Sequence, residues 1–123
     1  MEAVRKAQLG VGSAVTDVGE LFLYASEDVT LVRNEDWQAS LVVAVVTVEA
    51  HLDVLEDLTA PVYLREMHNH LLAVAGLFRQ FASAALQGVS NLDDAELVRA
   101  AGLLGDGQRA WLRADAAWQQ RCG

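Results

Sequence analysis

Between Trp37 and Leu58 large apolar residues fall at Trp37, Leu41, Val45, Val48, Leu52, Leu55 and Leu58, in steps of three or four. That spacing draws one stripe along a helix. The run Leu41–Val48 is rich in β-branched residues and would also suit a buried strand. The acids that follow decide the matter: Glu49, Asp53, Glu56 and Asp57 take the opposite face at helical spacing, where strand alternation fails. A helix is expected from Trp37 to about Leu58.

The same period recurs on both sides. Val4, Ala7, Val11, Ala14 with Val15, Val18, Leu21 with Phe22, and Ala25 keep a near-heptad register, which predicts a first helix over Val4–Val29. Gly10, Gly12 and Gly19 lie inside it, each costing about 1 kcal/mol against alanine, so either close approach of a neighbouring helix offsets them or the helix simply tolerates them. Residues 28–36 lose the pattern, and Asn34 or Asp36 can cap the next helix.

Thr59-Ala60-Pro61 marks the next boundary, because proline disfavours helical geometry before it and fits a first helical turn. Leu64, Met67, Leu71, Val74, Phe78, Phe81 and Ala85 then form a third stripe, expected to stop near Gly88 as a left-handed terminator. Ser90–Asp94 supplies capping groups and dipole-matching acids. A fourth helix should carry Leu97, Ala100 with Ala101, Leu104, Trp111 and Trp118, and run through Gly105-Asp106-Gly107 with a weak middle. The expected fold is all-α: one domain over residues 1–123, an antiparallel up-and-down four-helix bundle about 35 Å long.

Composition fits this picture and removes some function classes. Apolar residues make up 53% of the chain and there is one proline, which excludes a disordered chain. Low lysine with abundant Ala, Val, Leu, Gly and Arg points to a high-GC genome. The net charge is −8 and the longest basic cluster is Arg5-Lys6, so no nucleic-acid or anionic-membrane partner is expected. No apolar run is expected to reach the roughly 18 residues of a membrane span, and a cytoplasmic location is the default expectation. The single cysteine, Cys122, permits no internal disulfide.

The apolar run contains more than one core stripe can use. With Leu41, Val45 and Val48 facing inward, Val42, Val43 and Val46 point elsewhere. Cover by flanking helices is one solution. A contiguous exposed apolar patch otherwise marks an interface, and the expected partner is a second copy in a two-fold dimer, with another protein as a further partner class.

Candidate chemistry is sparse. HExxH, the ExxH pairs of di-iron bundles, a GxSxG elbow and a Gly-rich phosphate loop are all absent from the sequence, so no cofactor and no enzymatic activity are expected. Folding the second and third helices about Thr59-Ala60 pairs Leu55 with Leu64, Val48 with Leu71, Val45 with Val74 and Leu41 with Phe78. The polar exception is His51 opposite His68. The same rule brings Asp17 and Asp115 to about that height. Two imidazoles and two carboxylates could hold zinc or another divalent ion, or simply hydrogen-bond as a polar layer. Asp53, Glu56, Asp57 and Glu66 crowd the second turn and read as a solvated face, and Trp111 and Trp118 as aromatics at one heptad position.

The string Arg65-Glu66-Met67-His68-Asn69-His70-Leu71, continuing to Gly76-Leu77, resembles the phosphoacceptor helix of some bacterial sensor kinases and sporulation-type phosphotransferases. The resemblance implies dimerisation through helical hairpins. Arg65 stands where that pattern has its phosphorylated histidine, so no phosphoacceptor is carried across. The expected function is a non-catalytic, self-associating interaction or structural module. The alternative is a bundle that binds a metal or small ligand at a His51/His68 layer.

Overall fold

Side-chain caps set the corners of this molecule. Asp28 accepts a hydrogen bond from Thr30 N at 3.1 Å and Asn34 one from Trp37 N at 3.0 Å, so both ends of the first link are closed locally. The computed structural model describes residues 2–59, 62 and 65–122; the side chains of residues 2–4, 118, 121 and 122 lie outside the description. Helix α1 is Glu2–Glu27, a 3₁₀ turn follows at Val29–Arg33, and α2 is Glu35–Asp57. Helix α3 is Arg65–Ser90 and α4 is Asp94–Cys122. The four helices make an all-α bundle, with no strand among the described residues.

The run Leu41–Val48 therefore lies wholly within α2. Its helical stripe is buried as expected, at Trp37, Leu41, Val45, Val48, Leu52 and Leu55. Ala7, Val11, Ala14, Val15 and Val18 of α1, Met67, Leu71, Val74, Phe78, Phe81 and Ala85 of α3, and Leu97, Ala100, Leu104 and Ala114 of α4 complete one core. The readings at Val4, Ala60-Pro61, Leu64 and Trp118 fall outside what is described. Helix α2 does have the length and hydropathy to cross a bilayer, contrary to the expectation from uninterrupted runs. Its Trp37-to-Leu55 stripe is nevertheless packed inside the bundle.

Each helix packs antiparallel on the next in sequence. Trp37 at the start of α2 donates its indole N–H to Leu21 O near the end of α1, at 3.0 Å. Phe22 sits between Trp37 and Phe81, with ring centroids 6.1 and 5.9 Å away in edge-on geometry. Helix α4 runs unbroken through Gly105-Asp106-Gly107. Gly107 is where α4 meets α3: a Cβ built there would stand 2.6 Å from Phe78 Cε1.

The α3 terminus differs from the sequence expectation. Gly88 is inside α3 and buried, and no glycine among the described residues has positive φ. The left-handed residue is Leu92, at φ 51°. Asp93 N donates to Gly88 O at 2.9 Å and Leu92 N to Val89 O at 3.3 Å, the paired bonds of a Schellman end. Asp93 Oδ1 then accepts from Ala95 N and Glu96 N at 3.1 and 3.3 Å, so one residue closes α3 and opens α4. Gly88 is small for another reason, since a Cβ there would meet Leu97 at 2.8 Å.

An L-residue in the left-handed region costs about 1–2 kcal/mol, and the Leu92 side chain is half exposed. Leu92→Gly should therefore raise stability by about 1 kcal/mol in urea titrations. A loss of that size would mean that the Leu92 side chain contributes packing worth more than its backbone strain.

Candidate functional site

The first half of α2 carries apolar residues outside the core stripe, while the second half is acidic. Val43 is 67% exposed, Val46 51% and Val42 36%. Flanking helices therefore do not cover these valines. Beside them, α1 and α2 leave a groove of about 430 Å³ lined mainly by small residues, Ala14, Ala39, Ser40, Ala44 and Thr47, with Val43 on one wall. Asp17 is exposed and lies on this groove.

The polar layer is assembled differently from the sequence expectation. Asp115 accepts from Arg5 at 2.7 Å and from Gln8 Nε2 at 3.1 Å, tying the start of α1 to the end of α4. Gln8 is fully buried, and its Oε1 has no partner among the described residues. His68 is 6% exposed and its Nδ1 is likewise buried without a partner among the described residues. The α3/α4 register, in which Gly88 meets Leu97 and Gly107 meets Phe78, continues to set Asp115 within about one helical turn of His68. His51 is half buried, and its ring lies on α1: a Cβ on Gly10 would stand 2.7 Å from Nδ1.

The four residues expected to form one layer are thus divided. His68 and Asp115 share the bundle end with Gln8 and Arg5, His51 packs on Gly10, and Asp17 faces the outer groove. Among the described residues, no three His, Cys, Asp or Glu side chains gather as metal ligands would. The equidistant folding rule misplaces the height of α1, since Asp17 lies nine residues, about 13.5 Å of helix, beyond the Gln8 that meets Asp115. Gly12 and Gly19 face α4, where built Cβ atoms would lie 3.4 Å from Trp111 Nε1 and 3.2 Å from Gln108 Nε2, contacts that a small side chain could also make.

The acidic end of α2 is organised around a cation that the sequence reading passed over. Arg79 of α3 pairs with Asp53 and Glu56, and Glu49 lies 4.0 Å away. Folding about Thr59-Ala60 would place Ser40 opposite Arg79, so its acidic partners lie at least two turns further along α2. Hydrogen bonds from Arg79 to Glu56 and then to Asp53 hold the guanidinium pKa above its ordinary value. A raised cation contributes stability below its unfolded pKa while Glu56 and Asp53 are ionised, and on the alkaline side loses it only in strong alkali. Arg79 and Glu56 are both partly exposed, so solvent screening keeps the pairing modest.

In the Arg65–Leu71 string, His68 is buried and His70 is exposed, lining a shallow groove with Glu66, Met67 and Ala114. No family model, curated protein or solved structure matches the chain. Gln8 was missed because an amide carries no charge signal. Its position was nevertheless readable, one residue after Ala7 and three before Val11 on the core stripe.

Proposed function

We propose that this chain is a non-catalytic interaction module that self-associates through the outer face of the α1/α2 hairpin. The carrying observation is that a ridge and a groove lie on one patch: exposed Val43 and Val46 stand beside the cleft lined by Ala14, Ala39, Ser40 and Ala44. A two-fold contact presents the same patch from both partners, so it needs ridge and groove together. The exposed valines also form the kind of apolar surface that marks an interface. From Trp37 to Val48 the helix carries no charge, whereas the whole chain carries −8. Attraction between copies must then come from apolar burial, and added salt should strengthen it by screening the repulsion.

Sedimentation velocity at micromolar concentration should show a dimer that persists or tightens as salt is raised. Val43→Asp should weaken it at least about tenfold while the far-ultraviolet circular dichroism and melting temperature stay near native, because the residue is exposed in the isolated bundle. A monomer at all concentrations, or binding to phospholipid vesicles in place of self-association, would overturn the reading.

A further inference from the structure

At the end of the bundle opposite the Asp115 layer, the seam between α1 and α4 is underfilled. Ala25 and Ser26 of α1 share it with Val98 and Ala101 of α4, and a pocket of about 400 Å³ remains. Its apolar walls are Phe22, Val32, Trp37 and Leu97, and Arg33 and Asp94 stand at its mouth. A volume of that order, apolar walls and a few polar groups at one end are the usual properties of a small-molecule site. It lies on a different seam from the α1/α2 groove and does not depend on self-association.

We propose that this pocket binds a small hydrophobic cation, its alkyl or aryl body against Phe22, Trp37 and Leu97 and its protonated amine on Asp94. The walls offer almost nothing to an anion. The Trp37 indole N–H is already donated to Leu21 O at 3.0 Å and the Ser26 hydroxyl to Leu23 O at 2.7 Å. That leaves Arg33 as the lining donor, and it already contacts Asp94 at 3.3 Å. Both members of that pair are more than half exposed, so the contact is weak and a ligand can replace it.

The local charge favours a cation. Residues 27–36 and 93–99 contain Glu27, Asp28, Glu35, Asp36, Asp93, Asp94 and Glu96, against Arg33 and Arg99. Seven acids less two arginines leave −5 on these two segments, which supply Val29, Val32, Arg33, Asp94, Leu97 and Val98 to the lining. The N-termini of α2 and α4 add only about half a positive charge each, and the α1 C-terminus about half a negative one. A cation is therefore drawn in and a carboxylate repelled. Phe22 and Trp37, set edge to face, add ring surface on which an ammonium stem or head can rest.

Three probes with one body and different heads separate the possibilities: 3-phenylpropylamine, 3-phenylpropanol and 3-phenylpropionate, measured by calorimetry on the full chain at neutral pH and low salt. The amine should bind about tenfold more tightly than the acid, with the alcohol between them. Asp94→Asn removes the anchor and frees Arg33, so it should erase or reverse that preference, which a merely structural role for Asp94 would not do. Ala101→Trp, at an exposed lining position, should abolish binding of all three probes, with the melting temperature reporting that the fold is intact. The proposal is overturned if the acid binds as tightly as the amine, if no probe binds at millimolar concentration, or if Asp94→Asn leaves the order of affinities unchanged.

Discussion

Phe81→Ala should destabilise the protein by about 3–5 kcal/mol in urea or thermal unfolding, among the largest losses expected from a single truncation in this chain. Phe81 is 0% exposed, and its ring meets Phe22 edge-on at 5.9 Å, which in turn meets Trp37. Truncation removes the buried ring and leaves a cavity that Phe22, held by Trp37, has little freedom to fill. The loss would be roughly a fifth or more of the stability of an ordinary domain. Phe81→Leu keeps most of the volume and should cost far less. If Phe81→Ala cost under about 1 kcal/mol with the denaturant slope unchanged, the three-ring cluster would not be a centre of the core.

The second large effect lies where α3 and α4 touch. In an exposed helix Gly→Ala gains about 1 kcal/mol, so Gly107→Ala would be a favourable change by propensity alone. Its new methyl would stand 2.6 Å from Cε1 and 2.8 Å from Cδ1 of Phe78, inside contact distance of a ring that also packs on Trp111 at 6.2 Å. Overpacking of this kind costs about 1–3 kcal/mol, and the sign should reverse to a net loss. The loss should disappear in a Phe78→Leu background, leaving a coupling energy of at least about 0.5 kcal/mol in the double-mutant cycle. A gain on Gly107→Ala in the native background would show that the helices stand further apart.

Particular residues show how much of this could be read in advance. The inward stripe of α2 follows from spacing alone, because six positions at steps of three and four admit one burial pattern in a helix. Val42, Val43 and Val46 were legible for the same reason, since an inward stripe fixes what points away from it. Leu92 was not: glycine is the usual residue for a left-handed helix end, and here the Schellman bonds around Asp93 impose that backbone on a leucine. The polar layer was half legible. His68 and Asp115 lie near one height as expected, while Gln8 and Arg5 stand where Asp17 had been expected.

Apart from Ala101, expected inward and found exposed, what the sequence determined by itself is the set of four helices, the inward stripe of each and the surplus of apolar surface on α2. These are properties of one segment at a time, fixed by a 3.6-residue period, by capping groups and by breaks in pattern. Only the tertiary structure decided which residues meet between segments. Arg79 reaches two turns further along α2 than a symmetric hairpin allows, and Arg5 and Gln8 are the α1 residues that reach Asp115. Ala25 and Ser26 face the α4 seam in a way that leaves a pocket beside Trp37. The height, tilt and rotation of each helix are set by how side chains from four segments fill one volume together, and no single segment carries that information.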